Sequence, residues 1–222
     1  MQWLDLLEKQ TDRFAAVLDD GDLAAAVPAC PDWTLADLGE HVRQVHIWAT
    51  HAITAGNPDG TPPPGPLERA PLVAGYRSAA RHLLDVLAST PPDEPAWTFG
   101  PEQVSQFWRR RQLHEVNVHL HDALAAVGRA AEWSVTPELA WDGVDEVATM
   151  FYPRQVRLGR IEPLNGTLRL LATDLPGRSV DVGAGEPVVE VAAPAAELTL
   201  MLWKRQPGSA HATALLETAI TP

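Results

Sequence analysis

Residues 114–123 read HEVNVHLHDA, which sets three of the chain's 8 histidines beside a glutamate and an aspartate. On a helix, Glu115 and His119 stand four apart and so lie on one face, one turn apart. Asp122 follows three residues later on nearly the same face. His114 and His121, seven apart, share a different face, so the cluster splits into two sets and only one of them can point into a bundle core. A carboxylate and an imidazole at this spacing are a common way to present a divalent cation, but a third ligand has to come from another element. His41 is the candidate, because Leu38, His41, Val45 and Trp48 share one stripe of a second helix that begins near Thr34. Two imidazoles and one carboxylate suit zinc, and three protein ligands leave a coordination position open. The same residues also have an ordinary reading. Glu-x-x-x-His on an amphipathic helix is often a solvated or hydrogen-bonded face, and a lone histidine in an apolar stripe is often a satisfied core residue. What separates the two is whether the helices face each other.

The elements that would position these groups are legible from periodicity. Trp3, Leu6, Leu7, Phe14, Val17 and Leu18 recur at mostly helical spacing until DDGD ends the run. Thr34 and Asp37 resemble a capping box with aspartate in the glutamate position. A Pro- and Gly-rich loop over 55–71 precedes a third helix at roughly 72–89, and a second Pro-rich loop leads to a fourth at about 102–127. A fifth runs from Pro137 to about Phe151, with proline in its first turn. After about residue 160 the period changes. TLRLLATD, SVDVGAG and VVEVAA alternate as strands, and PAAELTLMLWKR returns to helix. This pattern predicts an α+β protein: a helical bundle over 1–155 and a small α/β domain over 160–222.

Composition narrows the class of function. The 222 residues suffice for a proper core, and 45% hydrophobic with 21% charged residues is ordinary for a globular protein. A formal net charge of -12 disfavours nucleic acid and anionic membrane surfaces as partners. No apolar run reaches the roughly 20 residues of a membrane span. The first residues, MQWLDLLEKQTDRF, carry charges throughout, unlike a secretion signal. The single cysteine, Cys30, excludes an internal disulfide and fits a cytoplasmic protein. Cys30 reads as a small buried hydrophobe, since nothing nearby is placed to lower its pKa. The RRR run at 109–111 reads as a solvated helix face. His46, His51, His114 and His121 read as surface or helix-packing residues, and Trp48 and Trp108 as core. Asp122 either orients a ligand imidazole or balances charge near Arg129.

VPACPDWTLADLGEHV at 27–42, FWRRRQLHEVNVHLHDA at 107–123 and LMLWKR at 200–205 resemble, in matching order, three signatures of the mycothiol-dependent maleylpyruvate isomerase family. The resemblance spans nearly the whole chain. It implies a DinB-like four-helix bundle followed by a small C-terminal α/β domain. It also implies a divalent metal, usually zinc, on His41, Glu115 and His119, the set already selected by spacing. It further implies mycothiol, or another low-molecular-weight thiol, as cofactor, and a small electrophilic substrate. For Arg205 it suggests a catalytic, anion-binding role, against a helix C-terminal cation that complements the dipole. Lys204 departs from the glycine usual at that position, and the stretch after Arg205 lacks the usual acidic finish.

The implied chemistry follows from lowered thiol acidity. A thiol held at the metal is deprotonated at neutral pH and attacks soft electrophiles. Addition to a cis double bond, rotation about the resulting single bond and elimination of the thiol give the trans isomer. With a leaving group or an epoxide, the same nucleophile gives S-transfer. Two other functions fit the bundle: a non-catalytic module that binds a small ligand or metal, and a metal hydrolase, for which no second carboxylate stands at a base-like spacing.

Overall fold

A computed structural model describes residues 1–222, which form two compact units, Met1–Trp133 and Ser134–Pro222. The first unit is a bundle of four helices: α1 (Trp3–Asp20), α2 (Leu35–Ala55), α3 (Arg69–Ser89) and α4 (Ser105–Ala126). α1 and α2 each pack on both α3 and α4, so α1 lies diagonal to α2 and α3 diagonal to α4. Leu7, Phe14, Leu18, Leu38, Leu72, Tyr76, Leu83, Leu87, Trp108, Leu113 and Leu120 fill the centre without exposure to solvent or nearly so.

The helices that carry the candidate ligands are fixed at their starts by different means. Thr34 Oγ1 accepts the Asp37 N–H at 3.3 Å while Asp37 accepts the Thr34 N–H at 2.9 Å, which completes the capping box read from the sequence. These hydrogen bonds hold the Asp37 carboxyl below its ordinary pKa. The chain enters α2 through a short antiparallel pair, β1 (Ala26–Val27) and β2 (Cys30–Thr34), where the sequence reading placed no strand. Cys30 lies in β2 and is half-buried rather than buried. α4 has no side-chain cap; instead Ser105 N–H donates to Glu94 O at 2.9 Å and Gln106 N–H to Pro92 O at 2.8 Å.

α4 is buried around most of its circumference, and here the sequence reading of the arginine run needs correction. Arg109 and Arg111 are only 6% and 3% exposed. Successive residues on a helix point about 100° apart, so a run of three cannot share one solvated face. Arg109 reaches the end of α3 and donates to Leu87 O and Thr90 O, a cation placed on the last carbonyls of a helix. Arg69 does the same for α1, donating to Leu18 O, Asp19 O and Gly21 O.

The second unit opens with α5 (Pro137–Glu146), continues through a π-helical turn over Val147–Phe151, and ends the helix as α6 (Tyr152–Arg157). Three strands follow: β3 (Gly166–Ala172), β4 (Ser179–Ala184) and β5 (Val188–Ala193). β3 is central, antiparallel to β4 and parallel to β5. Its Leu168 and Leu170 are fully buried, while Arg169 pairs across the exposed face with Asp181, its register partner, at 2.9 Å. Gly183 has φ 85°, and a Cβ there would lie 2.4 Å from Gly166 O, so no other residue fits. α7 (Ala195–Leu202) packs on α5, with Thr199 Oγ1 donating to Ala140 O at 2.8 Å, and α8 (Ala210–Leu215) ends the chain's regular structure. The change of hydrophobic period near residue 160 therefore falls inside the second unit, because α5 is packed by α7. No helix is long and apolar enough to cross a membrane.

Candidate metal centre

His41 projects from the second turn of α2, and Glu115 and His119 from successive turns of α4. The two helices pack against each other, and one ligand atom from each of the three residues falls within 4.8 Å of the others. Glu115 Oε1 is the hub, 3.3 Å from His41 Nε2 and 3.4 Å from His119 Nε2. Tetrahedral ligation at zinc's usual distances sets neighbouring donors about 3.4 Å apart, which the two separations from Glu115 Oε1 match. The donor set, two imidazole nitrogens and one carboxylate oxygen, also suits it chemically. His41 is the most open member, with its side chain 33% exposed against 16% for Glu115 and 12% for His119.

The surrounding groups hold these donors in place. Asp122 is fully buried and lies 3.0 Å from His119 Nδ1. A carboxylate only accepts, so Nδ1 donates to Asp122, and this bond turns Nε2 towards Glu115. Of the two roles open for Asp122 in the sequence, the structure supports orientation of the imidazole; Arg129 instead pairs with Glu132 at 2.7 Å. Burial opposes charge on His119, but Asp122 and Glu115 outweigh it and raise the imidazole to about 9. Burial likewise opposes charge on Glu115, and the Arg111 guanidinium with the two imidazoles keeps its carboxyl well below the usual range. The Trp33 ring covers His41 with centroids 4.8 Å apart. Glu40, one residue before His41, accepts from both Arg43 and the Gly65 N–H at 2.7 Å, which ties the Pro-rich loop down beside the site.

The remaining histidines lie outside the set. His51 bonds Asn57, while His114 and His121 meet Trp3 and Trp133 edge-on. His46 is fully buried between α2 and α4, with Nδ1 donating to Gln112 Oε1 at 2.8 Å and Nε2 without a partner in the protein. A second proton on this ring would be a buried charge with no acceptor, so burial lowers its pKa to about 4 from 6.5. The unfolded chain takes up that proton below about pH 6.5, whereas the folded chain does so only near 4. The stabilisation by His46 is therefore complete above about 6.5 and is lost as pH falls to about 4. Comparing urea unfolding of the wild type with His46→Gln across this window should show an extra loss in the wild type approaching about 3 kcal/mol; parallel curves would refute it.

Arg205 belongs to the second unit, just past α7, and is half-buried. Its Nη1 donates to Trp203 O at 2.6 Å and its guanidinium lies 5.9 Å from the Trp203 ring centre. It lines a pocket of about 780 Å³ with Lys204, Met201, Pro207 and Leu216. Lys204 has φ 58°, the left-handed conformation that glycine favours. The departure from glycine has thus left the backbone bend intact, and Lys204 bears its strain while Nζ donates to Glu217 O at 2.6 Å.

The neighbours of the candidate ligands were not singled out from the sequence. Arg111 passed as part of a solvated run, and Trp33 drew no attention. The signal for Arg111 was its spacing of four from Glu115.

Residues 4–124 match the family model described as the mycothiol maleylpyruvate isomerase N-terminal domain, and residues 138–219 match the MDMPI C-terminal domain. A solved structure of a mutant mycothiol-dependent maleylpyruvate isomerase superposes with a TM-score of 0.64 at 15% identity, over 90% of this chain and 86% of that one. At that identity it shows the shared fold. No curated protein sequence matches significantly. With both family models matched in order over most of its length, the chain belongs to the mycothiol maleylpyruvate isomerase family.

Proposed function

We propose that this protein is an enzyme that binds zinc, or another divalent cation, through His41, Glu115 and His119. It uses mycothiol or another low-molecular-weight thiol to isomerise a cis-alkene acid of the maleylpyruvate type, or to transfer the thiol to a small electrophile. The observation that carries this reading is the convergence of three donor atoms from two helices within 4.8 Å. The family supplies the thiol and the isomerase precedent.

A divalent cation in this set supplies a Lewis acid that makes a thiol acidic at neutral pH. The chain supplies the rest. Asp122 fixes the tautomer of His119, and Arg111 and the imidazoles fix the rotation of Glu115. Trp33 covers one side of His41, while the remaining exposure of His41 leaves the approach for thiol and substrate. Arg205 is proposed to hold a substrate carboxylate through its planar fork, a role for which its pocket offers room.

The experiment is metal removal. The purified protein should contain one equivalent of zinc per chain. Dialysis against chelator should abolish thiol-dependent turnover of a maleylpyruvate-type substrate, and stoichiometric zinc should restore it. Activity unchanged in chelator, or a stable metal-free protein indifferent to added zinc, would reject the proposal. Product analysis then separates isomer from thioether.

A further inference from the structure

Glu115 divides its two oxygens between opposite tasks. Oε1 faces both imidazoles, at 3.3 and 3.4 Å, while Oε2 is engaged by Arg111 Nη2 in a tight ion pair. The pair is sheltered, with side chains 4% and 16% exposed, and both residues sit one turn apart on the same rigid helix. A carboxylate left to itself can offer both oxygens to a cation. A guanidinium never loses its proton under working conditions, so its hold on Oε2 persists at any relevant pH.

From this division we infer that Arg111 is a positioning residue that reserves Oε2, so that Glu115 presents a single oxygen to the ion and one coordination position stays open for the thiol. The inference rests on the metal-site reading above. It concerns what the site does beyond holding a cation: three donor atoms leave room for an incoming sulfur, whereas a fourth from the same carboxylate would compete with it. Removing Arg111 therefore need not release the metal. It frees Oε2 to close the position that the thiol requires.

The test loads cobalt in place of zinc into the wild type, Arg111→Met and Arg111→Lys, and titrates each with 2-mercaptoethanol. In the wild type one cobalt per chain should give an intense visible band that shifts as thiol binds. In Arg111→Met the metal content should stay near one per chain while the band weakens, as coordination number rises, and apparent thiol affinity should fall at least about tenfold. Arg111→Lys retains a buried cation, and hence the fold, but lacks the fork. It should lie between the other two, with a weaker band and poorer thiol binding than the wild type. If Arg111→Met loses its helical signal, the lysine variant carries the test alone. A spectrum and thiol titration in the folded variants that match the wild type overturn the inference while leaving the metal site standing. A wild type that binds no cobalt overturns both.

Discussion

Substitution of His41 by alanine is expected to weaken zinc binding by more than about 100-fold, because loss of a ligand should exceed the 10–100-fold cost of losing an outer partner. Thiol-dependent turnover should fall with it. His41 is the most informative of the three proposed ligands to remove. Its side chain is 33% exposed, whereas Glu115 is bound to the buried Arg111 and His119 to the buried Asp122. Deleting either of those would take from a buried charged group its closest ion-pair partner, a destabilising change, and a loss of metal could then be blamed on unfolding. Alanine at position 41 is well tolerated within a helix. The metal-free forms of the wild type and His41→Ala should therefore unfold within about 1 kcal/mol of each other. Metal analysis, zinc titration and denaturation of both apo proteins check the three parts. Undiminished zinc affinity in the folded variant would remove α2 from the site and with it the proposed chemistry.

The two candidate ligands on α4 were legible because helical geometry alone puts positions 115 and 119 together. The third needed two helices to meet, which spacing cannot supply; the apolar stripe around His41 pointed inward, and α2 does pack on α4. Other features were hidden for definable reasons. α4 is polar in composition but buried on most sides, so amphipathic reasoning misassigned Arg109 and Arg111. The polar side chains on this helix are instead paired across the bundle: Gln112 with His46, Asn117 with Gln10 at 3.4 Å, and Arg109 with the end of α3. β1 is two residues long and carries no alternation to detect, and α8 lies in a run without strong periodicity. The switch from helices to strands near 160 was plain in the sequence. That α5 would pack on α7 was not, since the contact of Thr199 with Ala140 spans 59 residues.

The long loop before α4 raises the second large effect, at Trp108. Its side chain is fully buried, and its indole N–H donates to Trp97 O at 2.8 Å. Around it stand Trp48 of α2 at 5.1 Å, Phe107 at 5.3 Å and Phe99 at 5.9 Å, mostly edge to face. The loop, which closes on itself through a Pro95–Val104 bridge and Thr98–Gln103 hydrogen bonds, is thus fastened to α2 and α4 through this ring. Trp108→Ala removes the largest buried side chain of the bundle, leaves a cavity that rigid helices cannot close, and strands the Trp97 carbonyl. The expected cost is about 3–5 kcal/mol, a large part of a domain's stability. Trp108→Phe should recover most of the packing while still losing the hydrogen bond, about 1–3 kcal/mol. Because the ring lies seven residues before Glu115 on the same helix, the alanine variant should also bind zinc more weakly where loop loosening lets the start of α4 fray, whereas the phenylalanine variant should bind it normally. Urea midpoints measured on the metal-free proteins, alongside zinc titrations, separate these effects. A loss below about 1 kcal/mol in Trp108→Ala would mean that the surrounding aromatics close over the gap and that the loop is held by its backbone bonds to α4.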